Sequence, residues 1–329
     1  MASLYSGHML TLFTPSTQVL LALTLSVFTT LSAQAQAPFH FVALGDMPYG
    51  PAAQAYPPYR QLIAQINQVA PVFSVHVGDF KSGSTPCTDA EFAQQHAHFQ
   101  AFAGALVYTP GDNDWTDCHR SNNGGFDPLE RLLALRQAFF RPGQSLGQLP
   151  IAVENQSSLM PAHSKFIENQ RWQVQGVTFA TLHMVGSNNN LEARELASAS
   201  EFFERDAANV AWLASAFQAA RERQSRAIVI AFQADVFETR TAFEAFPGWS
   251  GFKRTVEDTL LPLAEQWGKP VLVIHGDSHQ FRIDQPFALK KRALRNITRL
   301  IVPGAPDVRA VRVEVQPGGG FGFDLIEAP

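Results

Sequence analysis

Six positions along the chain share one setting. Asp46, Asp79, Asn113, Gln233, Asp277 and His279 each stand just past a short apolar run, in "FHFVALGD", "PVFSVHVGD", "GALVYTPGDND", "AIVIAFQAD" and "KPVLVIHGDSH". Carboxylates, carboxamides and an imidazole are the donors of a divalent cation site. A single Asp after a strand is ordinarily a turn or helix cap. Five strand ends carrying such groups point instead to one shared cation site. The densest stretch is "TPGDNDWTDCHR" over residues 109–120. Asn113 within it is neither acid nor base, so it can only coordinate or hydrogen-bond.

The elements that would bring these positions together are legible in the same runs. A helical pattern from Gln54 to Val69 separates the first two apolar runs, and another from Ala90 to Phe102 precedes the third. Strand, crossover helix and strand, each strand closed by glycine and an acid, predict a parallel sheet whose carboxyl ends converge on one crevice. "RWQVQGVTFATLH" reads as two strands about a Gln-Gly turn, and a long helix is expected over Ser198–Gln224. "RLIVPG", "VRAVRVEV" and "FGFDLI" at the end read as a closing antiparallel sheet, with Gly318–Gly320 in a turn. With no linker or repeat, residues 38–329 are expected to form one domain of two sheets flanked by helices.

In order and spacing these motifs resemble those of the calcineurin-like metallophosphoesterases, the superfamily that includes the purple acid phosphatases. The family pattern is a Gly-Asp, a second Gly-Asp, a Gly-Asn-His-acid, a later His and a Gly-His-x-His at strand ends. Here "ALGDMPYG", "VHVGDFKSG", "PGDNDW", "IAFQAD" and "HGDSHQF" stand in those places. The resemblance implies an α/β (α+β) fold, two packed mixed sheets in a four-layer αββα sandwich. It also implies two divalent metal ions that generate a bridging hydroxide for hydrolysis of phosphate mono- or diesters. Asp46 and His279 would hold the first metal, Asp79 would bridge, and Asn113, Gln233 and Asp277 would hold the second. A neutral carboxamide at Asn113 supplies an oxygen without adding negative charge.

The departures from the pattern shape the chemistry. Pro48 stands where the family places a first-site histidine, and Tyr49 beside it is the candidate replacement through its phenol oxygen. Asp114 takes the place of the family's proton-donating histidine, with His119 a second candidate for that role. Gln233 and Asp277 replace two histidines, which shifts the second site toward oxygen and favours Mn²⁺ or Mg²⁺ ahead of Fe or Zn²⁺. Lys81 and Arg120 follow motif positions and are candidate phosphate contacts. His183, Ser187 and Asn188, in "TLHMVGSNNN", are candidate donors to a small phosphorylated substrate, although Ser-Asn-Asn is also ordinary turn sequence. The alternative is a catalytically silent binding protein of the cell envelope, silenced by the loss of those histidines. A serine esterase built on Ser187 fits less well, because "VGSNN" lacks the second glycine of a nucleophile elbow.

The rest of the 329-residue chain bounds these readings. A formal net charge of -4 offers no basic footprint for nucleic acid. The first 37 residues hold no Lys, Arg, Asp or Glu, and "VLLALTLSVFTTL" followed by "SAQAQA" reads as a signal peptide. The protein is therefore expected to be secreted or periplasmic, with no stable membrane insertion once the segment is cut after Ala35 or Ala37. In such a compartment its two cysteines, Cys87 and Cys118, are expected to form a disulfide linking two site loops.

Overall fold

Strand Phe39–Leu44 is apolar on nearly every residue because both its faces are covered, which marks an interior strand of a sandwich. It lies in a computed structural model that describes residues 7–8, 37–192, 195–237 and 250–327. Nearly all of the expected signal segment lies outside the described residues. The six strands of its sheet run in the spatial order Phe321–Glu327, Arg309–Val315, Phe39–Leu44, Ser74–His76, Ala105–Tyr108, Leu146–Gly147. The three central ones from Phe39 to Tyr108 are mutually parallel.

A second sheet holds seven strands, Arg282–Asp284, Ile297–Ile301, Val271–His275, Ala227–Ala231, Val177–Thr181, Gln170–Val174 and Glu154–Asn155. Its four strands from Ile297 back to Val177 in that order are parallel, with antiparallel strands at both edges. The two sheets pack face to face through Phe41, Phe73, Val107, Phe179, Leu272 and Val313. Helices Ala52–Val69, Asp89–Phe99 and Pro128–Phe139 cover the outer face of the first sheet. Helices Leu196–Glu222 and Leu261–Trp267 cover the second, giving the αββα layering. Gln36–Pro329 form one compact unit. No helix among the described residues is long and apolar enough to cross a membrane.

Local chemistry starts and stops these elements. Thr88 caps its helix by accepting from the Glu91 amide, with Asp89 and Glu91 in the positive first turn. Asp127 does the same for Leu129 and Glu130 ahead of Pro128. The hairpin between Gln170–Val174 and Val177–Thr181 turns on Gln175 and Gly176, both at positive φ.

The chain's end differs from the expected closing sheet. Ile297–Ile301 joins the second sheet, parallel to Val271–His275, while Arg309–Val315 and Phe321–Glu327 join the first. Burial of four of its five residues puts Ile297–Ile301 in a sheet interior. The consequence for function is directional: every parallel strand ends on the same rim, so the loops after Leu44, His76, Tyr108, Thr181, Ala231 and His275 face one another.

Candidate metal centre

Three of the expected residues meet at that rim. Asp46, Asp79 and His279 each bring one ligand atom to within 4.8 Å of the others. Asp46 and Asp79 are buried and His279 is half-buried. To swing these side chains back over the sheet edge the backbone turns left-handed, with φ +52° at Asp46, +54° at Asp79, +72° at Asp277 and +58° at His279. Each non-glycine residue in that region costs about 1 kcal/mol or more, and such strain concentrates at functional sites. Gly111 is needed for close approach, since a methyl group on it would lie 2.1 Å from Asp79 Oδ1.

Tyr49 joins this group. Its hydroxyl donates to Asp79 Oδ2 at 2.8 Å and accepts from Asn113 Nδ2 at 2.7 Å, and its ring meets His279 edge-to-face at 5.1 Å. Burial first, and then the charges of Asp79 and Asp46, hold the phenol proton on well above its ordinary range.

On the other side of Asp79 lies an oxygen-rich set. Gln233 Nε2 donates to Asp79 Oδ2 at 3.3 Å and to Asp112 Oδ1 at 3.1 Å, while its Oε1 accepts from Gly186 N at 2.5 Å. A methyl group on Gly186 would be 2.7 Å from both Asp112 Oδ2 and Asp277 Oδ1, so these two carboxylates confront each other across a bare backbone. The Asp277 amide donates to Asp46 Oδ2 at 3.0 Å, and Asp277 Oδ2 accepts from Asp235 N at 2.9 Å.

Four carboxylates thus share one crevice, and the cost is visible in the protonation of Asp79 and Asp46. Burial, then the neighbouring charges led by Asp112, raises the pKa of Asp79 well above the carboxylate range. Burial raises Asp46 likewise, against an opposing bond from the Asp277 amide. Buried like charges of this kind are tolerated when cations neutralise them. Asp46, Asp79 and His279, with Tyr49 beside them, form the group among the described residues that could hold a divalent ion, and Asp112, Asp277 and Gln233 line the other side of Asp79. Gln233 turns its amide nitrogen toward Asp79 and Asp112, and the Gly186 amide holds its oxygen in that orientation.

No protein-family model matches the sequence, and no curated protein matches it. Solved structures do match in fold. A dimetal phosphatase from Danio rerio superposes with a TM-score of 0.53 at 11% identity, covering 88% of this chain and 99% of that one. A purple acid phosphatase isolated from yellow lupin (Lupinus luteus) seeds superposes with a TM-score of 0.53 at 12% identity over 89% of this chain. This chain spans 52% of the lupin protein. The chain has the metallophosphoesterase fold.

Within that fold the third motif presents a different residue from the one expected. Asp114 is fully buried, and its carboxylate accepts from Asp79 N and Phe80 N at 3.0 Å, and from Gly111 N and Tyr108 Oη at 2.8 Å. Burial outweighs these bonds and raises its pKa to about 6. Closed on every side, Asp114 clamps the Asp79 turn and has no free oxygen to offer a leaving group. Asp112, not Asn113, is the member of this stretch whose carboxylate faces Gln233, Ser187 and Asp277, while Asn113 turns its amide to Tyr49 and Asp79. Asn113 Nδ2 donates to Asp79 Oδ2 at 2.8 Å. Sequence reasoning missed Asp112 by matching asparagine to asparagine.

The remaining candidates divide. Lys81 is buried, its Nζ on the Ser82 carbonyl at 3.3 Å, so it is a counter-charge behind the acids and not a phosphate contact. Burial lowers its pKa, opposed chiefly by Asp114 and Asp79. His119 is exposed, with Nδ1 on the Thr116 carbonyl at 2.7 Å. His183 is buried against Glu168 Oε1 at 2.8 Å, and Arg136 holds the same carboxylate, so it braces the scaffold. Asn188 turns to Ser250 and to the Gly251 amide, away from the acids. Ser187 does reach the centre, donating to Asp112 Oδ2 at 3.0 Å and lying 3.4 Å from Asp117 Oδ1. Its hydroxyl is engaged by carboxylates and not by an imidazole, which argues against the esterase alternative. Cys87 and Cys118 are disulfide-bonded, joining the loop after Asp79 to the loop after Asn113.

Proposed function

We propose that this chain is an exported, metal-dependent hydrolase of phosphate esters. The observation that carries the reading is the convergence of Asp46, Asp79 and His279 within 4.8 Å on a strained rim. Asp112, Gln233 and Asp277 extend the same shell. Two bound divalent ions would polarise a phosphoryl oxygen and lower the pKa of water held between them. Asp79 stands between the two donor sets and orients both, with Tyr49, Asn113 and Gln233 fixing its Oδ2. The carboxylates of Asp112 and Asp277 on the second side offer oxygen and no imidazole, which favours Mn²⁺ or Mg²⁺. Export is supported by the uncharged apolar leader and by the disulfide.

The test is steady-state hydrolysis of p-nitrophenyl phosphate and bis-p-nitrophenyl phosphate by the purified chain with Mn²⁺, Mg²⁺ or Zn²⁺, against Asp79→Asn. Turnover that falls more than about 100-fold in the variant is expected, because that residue serves both cations. One observation favours a second reading, a silent binding protein of the cell envelope. Asp114 is closed, and Asn113 beside it donates a hydrogen bond but cannot transfer a proton. Cation binding with no turnover of either ester would establish it.

A further inference from the structure

We propose that Arg120, braced by Asp117, is a clamp for the unesterified oxygens of a terminal phosphoryl group and gives the centre a preference for phosphate monoesters over diesters. The proposal rests on the phosphoesterase reading and deepens it.

Arg120 Nη1 lies 2.6 Å from Asp117 Oδ2, in a pair whose acid side chain is 3% exposed and whose arginine side chain is 45% exposed. The arginine is thus anchored from below and open above. Asp117 is itself tied inward: Ser187 Oγ sits between Asp117 Oδ1 and Asp112 Oδ2, so one continuous chain of contacts runs from the acidic cradle to the guanidinium. The disulfide at Cys118 pins the turn that carries both partners. Gly83 leaves the path clear. A methyl group on it would stand 2.7 Å from Asn113 Oδ1 and 3.8 Å from Arg120 Nη1, so bare backbone lies beside Asn113 and the guanidinium.

Three features of phosphate chemistry turn this placement into selectivity. Arginine stays charged at any working pH, and its planar fork matches two phosphate oxygens. Asp117 engages Nη1, leaving Nε and Nη2 as further donors. A terminal phosphoryl group has three unesterified oxygens, so one can face the fork while the others point into the cradle. A diester has two, and its second ester arm would have to lie against Gly83 and Arg120. A monoester near neutral pH also carries close to two negative charges against one for a diester.

The test pairs binding with turnover on the full chain loaded with Mn²⁺. Calorimetric titration with inorganic phosphate reads the clamp without catalysis. Arg120→Ala should weaken inorganic phosphate by about 10- to 100-fold, the loss of charge-assisted hydrogen bonds. It should lower kcat/KM for p-nitrophenyl phosphate by a similar factor and leave bis-p-nitrophenyl phosphate within about twofold. Arg120→Lys should restore part of the phosphate affinity, since a point charge replaces a fork. Asp117→Asn, a positioning change, should give a smaller loss of phosphate binding. Unchanged phosphate binding in Arg120→Ala, or equal losses for both esters, overturns the clamp. Arg120-dependent phosphate binding in a chain that hydrolyses neither ester supports the clamp and rejects the hydrolase reading.

Discussion

Replacing Asp114 with alanine separates two roles that its position in the sequence cannot. Its carboxylate closes four donors, the amides of Asp79, Phe80 and Gly111 and the hydroxyl of Tyr108, at 2.8 to 3.0 Å in a fully buried pocket. Hydrogen bonds to a charged acceptor contribute about 1.5–3 kcal/mol each, and a buried donor left unpaired costs about 1–3 kcal/mol. The four share one acceptor and some will find water, so their losses do not add. A net destabilisation of about 3–5 kcal/mol is expected, at the upper end for single substitutions. Asp114→Asn keeps one acceptor oxygen but turns an amide onto the remaining donors, so an intermediate loss should follow. Guanidinium unfolding followed by circular dichroism reads the difference directly, as a lower midpoint at constant slope. An Asp114→Ala protein with the wild-type midpoint and a selective loss of turnover would refute the clamp and restore the proton-donor role.

Other outcomes follow from the same geometry. The disulfide bridges positions 31 residues apart in the chain. Cys87→Ser with Cys118→Ser should therefore lose about 3–4 kcal/mol by the loop-entropy relation, and unchanged thermal unfolding would contradict it. Burial lowers the His183 pKa from 6.5 to about 4. Between those values the native ring binds fewer protons than the unfolded one, so stability must fall as pH drops through the window. His183→Gln should flatten the pH dependence of unfolding by up to about 1.4 kcal/mol per pH unit, and an unchanged slope would count against a neutral buried ring. A methyl at Gly111 meets Asp79 Oδ1 at 2.1 Å, so Gly111→Ala should lower cation affinity measured by calorimetry; wild-type affinity would show that the turn relaxes freely.

Much of the fold was legible because its signals are redundant. Apolar runs such as "FVAL", "VLVI" and "AIVI" can be covered on both faces only inside a layered sheet, and a glycine with an acid at their ends places the rim. Asp46, Asp79 and His279 inherit their meeting from that rule alone. What was not legible depends on side-chain direction within a turn. Asp112, Asn113 and Asp114 are consecutive, yet one faces Asp277 and Gln233, one faces Tyr49, and one is buried beneath the Asp79 turn. No periodicity encodes that order. Lys81 misled for a related reason, since a lysine ordinarily seeks water and here lies among Asp114, Asp79 and Asp117. The final strands divided between two sheets because alternation reveals a covered face without naming what covers it.

The most direct measurement is the number of manganese ions bound per chain after removal of metal by chelator and reloading, read by mass spectrometry of the dialysed protein. Two per chain are expected for the wild type, and one each for Asp46→Ala and Asp112→Ala, which empty opposite sides of Asp79. A wild-type chain that retains no metal, or an Asp112→Ala chain that still retains two, contradicts a paired cation site at this rim.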